Sequence, residues 1–560
     1  MSDHLLHLLV GLPLLAAFLV FFTPRQWVGS IRLLSTLAMV GELLLSLLLL
    51  RGDYASGEPV YAERHFWVWD LGISFDFGVD GISLGLVLLT TLICPIALQV
   101  SFTQIDTKVK EWAAAFLVLE AGLVGAFVAR DLFVFYVCYE LVLLPMYLFV
   151  GMWGSGNRSF TTNKFFLYTL VGSLVMFVAL LYLGTTYAGL AERPSFLVSD
   201  LARLALPWDA QMWVALAFLL GFAIKMPLFP LHTWSPETYR DAPTGATIAL
   251  SAVLAKLGSY GILRFVIPVV PVGLQLVGPS LAVLAVIGIL YGAYAAWAQS
   301  DLKTLIAYSS LSHMGFVGLG LFALTASSLT GSVLQMVNHG ITTAALFALV
   351  AMLEKRKGTH SLAAFGGLAK PAPALSTAIV VFAMSSIAVP GTNGFVGEFL
   401  ILSGTFLQRG SVLGLGYYGP FFAAAAGLGV IFGAVYMLDA VKAVVWGPTD
   451  ESNATFRDLG TRDRVLLAPL VVLVFALGVY PSMLTDRIAP AVDRLLATTT
   501  AGFEIGRTVT RPTLTAPAVS EDAEGEGQGE GAAAPPAAPT VAPNPPGAPA
   551  HVHGPGGAHP

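Results

Sequence analysis

Apolar runs of roughly 20 residues follow one another along most of the chain, each long enough to cross the hydrocarbon layer of a bilayer as a helix. In lipid every backbone N–H and C=O must be paired within the protein, so such runs restrict the fold to a bundle of spanning helices. They fall near 4–22, 31–50, 81–103, 112–129, 131–152, 165–188, 210–230, 243–267, 273–298, 303–324, 329–353, 374–404, 420–446 and 464–484, about fourteen crossings in all. The expected fold class is an all-α polytopic membrane protein. Charge content supports this: 11% of residues are charged, against about 25% in a soluble domain. The net charge of −5 lies partly in the C-terminal stretch, and nothing in it suggests nucleic-acid binding.

The connections set an expected orientation. Those after even-numbered spans carry scattered arginines, Arg51, Arg64, Arg130, Arg193, Arg203 and Arg409. Those after odd-numbered spans are richer in basic residues and include the run Lys355-Arg356-Lys357, which places them in the cytoplasm and both termini outside. The stretch 59–80 alternates aromatic and polar residues and is expected to form a short hairpin on the outer surface. The N-terminus has no basic leader region and reads as a first helix. Cys94 and Cys138 lie apart in apolar runs and form no metal, cluster or disulfide pattern. From about 498 the chain turns Ala/Pro/Gly-rich and is expected to be disordered; low-complexity drift explains His551, His553 and His559 better than metal binding.

The most informative run is the interrupted one at 210–230 with its successor. Lys225, Pro227 and Pro230 break an apolar helix, and Lys256 then falls midway along the next apolar run. Proline removes a backbone donor, so such a break is tolerated in a bilayer only against protein or a wet cavity. A cation at a helix centre costs roughly 2.5–3.5 kcal/mol, which points to an ion path. Lys225 snorkelling from a helix end is the competing reading; for Lys256 snorkelling is hard. A second break around 387–399 echoes the first after roughly 160 residues, the pattern of inverted-repeat transporters. The expected organisation is 1–110 for three N-terminal helices with the hairpin, 111–268 and 269–446 for two five-helix repeats, 447–497 for the last helix and 498–560 for the tail.

Six ionisable residues lie deep in apolar runs: Glu140, Lys225, Lys256, His313, His339 and Glu398. Glu140 needs a counter-charge from another helix, and Lys225 is the natural one, either as a structural staple or as a working pair. His313 and His339 could each simply hydrogen-bond a neighbour. With Lys256 and Glu398 they could instead form a relay, since imidazole titrates near neutral pH and passes protons between two nitrogens. Glu398 follows Gly391, Gly394 and Gly397 on the restarted half of the second break, where a helix dipole could also stabilise a carboxylate. Lys164 reads as interfacial, and His232 as capping or hydrating the first break.

Several segments are similar to a known family: FGVDGISL at 77–84, CYELVLLPMYLFVGMWG at 138–154, KFFLYTL at 164–170, the stretch 222–265, LIAYSSLSHMGF at 305–316 and PGTNGFVGEF at 390–399. Together they resemble the antiporter-like membrane subunits of respiratory complex I, the proton-pumping NADH–quinone oxidoreductase, over about residues 1–490. The match is best to the M-type branch (subunit 4 in mitochondria), because Glu398 stands where the L and N types usually carry lysine. The resemblance implies fourteen helices with two inverted repeats, Glu140 and Lys225 as a coupling pair, Lys256 as a central relay lysine, His313 as a bridge and Glu398 as the exit group. It also implies L- and N-type neighbours and a bacterial inner membrane. FMN, iron–sulfur clusters and quinone would belong to partner subunits, with no cofactor in this chain. A multisubunit cation/proton antiporter or a membrane-bound hydrogenase is the alternative assembly; a passive scaffold or a solute carrier fits the row of buried charges less well.

Overall fold

The computed structural model describes residues 4–408, 413–448 and 451–515. Arg409, the three tail histidines and the tail from 516 onward lie outside the described residues. Among the described residues twelve helices are long and apolar enough to cross a membrane, or thirteen if the pair Thr461–Val479 and Ser482–Gly506, bent by 66°, counts as one span. The expected run at 374–404 is two 14-residue helices, Pro373–Ser386 and Asn393–Phe406. Outer helices such as Arg158–Ala191 and Gly416–Trp446 are mostly uncovered and present Val178, Ile431 and similar side chains outward, as a lipid-facing surface does. Thr244–Val269, Leu302–Ala323 and Ala326–Lys357 are covered over nearly their full length. These three central helices carry Lys256, His313 and His339.

Most of the irregularities fall beside the charges. Glu140 is the penultimate residue of Leu132–Leu141, where the span bends before continuing as Leu143–Trp153. Lys225 ends the helix Trp208–Lys225, and the chain resumes as Ser235–Asp241. Lys256 stands between two π-turns, Leu250–Leu254 and Ile262–Val266. Such wide turns are rare inside helices and recur at functional sites. The second break runs from Ser386 to Asn393, with Glu398 in the following helix.

The expected hairpin is present: β1 (Val60–Val68) pairs antiparallel with β2 (Ile73–Val79). It packs at the same end of the bundle as the loop near Pro194 and the helix Ser482–Gly506, since Gly72 abuts Pro194 and Gly57 abuts Pro490. At the opposite end Arg356 reaches Asp463 at 2.6 Å, and Gln104 reaches Glu354 at 3.0 Å. Connections after odd and even spans thus gather at opposite ends, as alternating crossings require. The boundary expected at 498 moves: helix continues to Gly506, and Thr513–Leu514 pairs with Leu204–Ala205. The amphipathic face of that last helix is what the composition there concealed, for it buries Ile488, Val492, Thr499 and Phe503.

Close packing holds the break next to Lys225 against the Lys256 helix. A Cβ on Gly258 would stand 2.4 Å from Phe222 O and 2.6 Å from Met226 N, both backbone atoms. Gly258→Val is therefore expected to destabilise the bundle by about 1–3 kcal/mol, the range of overpacked cores. The check is the midpoint of thermal unfolding in detergent, compared with the parent chain.

Candidate functional site

Lys256 is fully buried. Its Nζ donates to the Ser251 carbonyl at 2.6 Å and lies 2.7 Å from His339 Nδ1. The first contact follows from the π-turn, which widens the helix and turns a carbonyl toward the ammonium. The second joins two helices. The His339 ring then faces that of His313, with centroids 5.5 Å apart. His313 Nδ1 lies 2.8 Å from Glu398 Oε1, and Gln335 Nε2 donates to the same oxygen at 3.1 Å. On its other edge His313 Nε2 is 3.4 Å from Ser386 Oγ, at the mouth of the second break. Four ionisable side chains thus form one row, Lys256–His339–His313–Glu398. Hydrogen-bond distances join its first and last pairs, and ring contact joins the middle.

A small cavity lies along this row, lined by His313, Gln335, Asn338, His339, Ser385 and Ser386 among others. Its walls are further tied by Thr342 to Ser385 at 2.6 Å and by Asn338 to the Asn393 carbonyl at 2.7 Å. Among the described residues His339 Nε2 has no hydrogen-bond partner. A buried imidazole nitrogen without a partner beside polar groups is a place where a proton or a water can enter.

The Glu140–Lys225 pair is arranged differently from the expectation. No carboxylate lies within 4.0 Å of Lys225 among the described residues. Its ammonium instead donates to the Tyr139 carbonyl at 3.4 Å and sits over the Tyr139 ring, 4.2 Å from the centroid. The reason is the bend after Leu141: the last carbonyls of a helix lack intrahelical partners, and Tyr139 is in that last turn. Glu140 is the residue next to Tyr139, and the direct contact expected between it and Lys225 is open. Among the described residues Lys225 and Lys256 share no hydrogen bond.

His339 joins the row, whereas Lys164 and His232 stand apart from it. Lys164 pairs with Glu237 at 3.0 Å, both partly exposed. His232 is buried and stacks on Phe229 and against Tyr291. Sequence reasoning missed Gln335, Tyr139 and three buried charges. Lys303 is buried and donates to the Ala242 carbonyl at 2.6 Å. Glu42 and Glu120 are fully buried near one another on Val28–Ser46 and Val109–Val128. Both acids lie mid-run, so the rule that flagged Glu140 would have flagged them too.

Comparison with known proteins agrees with this architecture. The family model described as NADH:quinone oxidoreductase/Mrp antiporter, transmembrane, matches residues 129–417. NADH-quinone oxidoreductase subunit M of Rhodobacter capsulatus is 39% identical over 514 residues, covering 88% of this chain and 96% of its own. NADH-ubiquinone oxidoreductase chain 4 of Marchantia polymorpha is 36% identical, covering 87% and 96%. Among solved structures, a chain of respiratory complex I from Thermus thermophilus superposes with a TM-score of 0.79 at 32% identity, covering 89% of this chain and all of that one. A chain of the Mrp complex from Dietzia sp. DQ12-45-1b reaches 0.76 at 21% identity, a likeness of fold alone. On the family match, the relatives and the shared fold together, the chain belongs to the NADH:quinone oxidoreductase/Mrp antiporter family of membrane subunits, in the branch of subunit M and chain 4.

Proposed function

We propose that this chain carries protons across a bacterial inner membrane as the M-type subunit of an NADH–quinone oxidoreductase, with L- and N-type subunits beside it and both termini on the outer side. FMN, iron–sulfur clusters and quinone would sit in partner subunits. The observation that supports this most is the row Lys256–His339–His313–Glu398, held in the covered centre of the bundle.

The energetics are adequate for a switch. A charge taken from water is destabilised, and a nearby opposite charge restores it. Moving a proton against about 150 mV costs roughly 3.5 kcal/mol, from about 2.3 per 100 mV. A close ion pair at an effective dielectric of about 20 is worth about 4 kcal/mol. Making and breaking one Glu140–Lys225 contact is therefore of the right size to drive one transfer. With the contact closed, Lys225 holds its proton. With it open, the proton passes toward Lys256, crossing by water at the break, then through His339 and His313 to Glu398. The second break gives it a hydrated way out.

The test is Lys225→Ala in the assembled complex in inverted membrane vesicles. NADH-driven membrane potential should fall at least about tenfold per NADH oxidised, while electron transfer from NADH to a soluble acceptor is retained. An unchanged potential per NADH would contradict the reading.

A further inference from the structure

At the hairpin end of the bundle, well away from the relay, three histidines converge on one carboxylate oxygen. His4 Nδ1 is 3.2 Å from Glu63 Oε2, His7 Nδ1 is 2.9 Å from it, and His65 Nε2 is 3.6 Å from it. His4, Glu63 and His65 each bring a ligand atom to within 4.8 Å of the others. The backbone dictates the convergence. His4 and His7 lie three apart where the first helix begins, hence on one helical face. Glu63 and His65 lie two apart on β1, hence on one face of the strand, opposite Phe77 and Phe75. The His7 ring packs against those of His65 and Phe77, which fixes its plane.

His4 Nδ1 and Glu63 Oε2 share a hydrogen bond at 3.2 Å, which accounts for one of the three approaches. Among the described residues neither nitrogen of His7 has a hydrogen-bond partner despite the 2.9 Å approach to Glu63 Oε2, and buried Glu63 Oε1 has none either. One carboxylate oxygen cannot accept well from three imidazoles at once, and three imidazoles need no such focus for packing. A tetrahedral metal explains it: with bonds of about 2.0–2.1 Å, ligand atoms stand about 3.3 Å from one another. The 3.2 and 3.6 Å separations of His4 and His65 from Glu63 Oε2 are close to that value.

We propose that His4, Glu63 and His65 form a binding site for a divalent transition metal, zinc in the first instance, with His7 packed beside it. Two imidazoles and a carboxylate suit zinc's preference for nitrogen and oxygen ligands and leave a fourth position for water. The ion ties the start of the first helix to β1. It stands apart from the Lys256–Glu398 row and acts by fixing the hairpin, not by entering the proton path.

The experiment uses the full-length chain in detergent with His551, His553 and His559 changed to alanine, so that the tail cannot contribute. Zinc alone is the probe, measured by equilibrium dialysis and mass spectrometry, with cobalt as a spectroscopic substitute. The expected result is one zinc per chain, an intense visible cobalt band of tetrahedral type, and slower hydrogen exchange over Val60–Val68 when zinc is bound. His65→Ala and Glu63→Gln should each weaken zinc binding at least about tenfold and abolish both other signals, with the protein still folded by its thermal midpoint. Zinc binding unchanged by both substitutions, or no zinc bound by the parent chain, overturns the proposal.

Discussion

Lys256→Ala is expected to reduce NADH-driven proton translocation by more than about tenfold while leaving the chain assembled in the membrane. Lys256 is the junction at which a proton arriving from the first break meets the histidine row, and its ammonium touches both the Ser251 carbonyl and His339. Alanine removes the ammonium at that junction and leaves His339 Nδ1 without its partner. An orphaned buried polar atom costs about 1–3 kcal/mol, small beside the packing of a fully covered helix. Loss of pumping with normal subunit content separates a working role from a structural one. Lys256→Arg keeps the charge but cannot release its proton, so it should also fail to pump. Potential generation, quinone reduction and subunit content measured in the same vesicles decide this.

The second large effect is expected at Glu398. Its Oε1 is shared by His313 and Gln335, so the carboxylate is both the end of the row and a structural tie between helices. Glu398→Gln keeps an oxygen acceptor and nearly the same shape but holds no exchangeable acid. It should lower pumping about as far as the Lys256 variant, with an unaltered thermal midpoint. Glu398→Ala removes the acceptor too, and should add a destabilisation of about 1–3 kcal/mol from the unpaired amide and imidazole. If the glutamine variant pumped normally, Glu398 would be a helix tie and no more.

Much of the architecture was legible because a bilayer leaves few alternatives. Apolar length sets the spans, and two prolines beside a lysine mark a break that only protein or water can cover. The bond between Lys256 and His339 was harder to foresee. It depends on π-turns at Leu250–Leu254 and Ile262–Val266, which no residue in that stretch announces. Gln335 escaped notice because an amide carries little insertion penalty and looks like any polar residue until Gly397 brings it beside Glu398. The resting place of Lys225 on the Tyr139 carbonyl arises from the bend after Leu141, and a hydropathy pattern reads that span as continuous. The last helix was cut short at 498 because composition was weighed over periodicity, although its buried residues recur at helical spacing to Phe503.

The central claim is that one carboxylate–ammonium contact gates the row. It is tested most directly by Glu140→Gln, with protons translocated per electron delivered to quinone counted in proteoliposomes of the whole complex. Glutamine has nearly the same size and shape but cannot hold Lys225 by charge. The gate predicts a lower proton-to-electron ratio with quinone still reduced; an unchanged ratio at the parent turnover rate would contradict it.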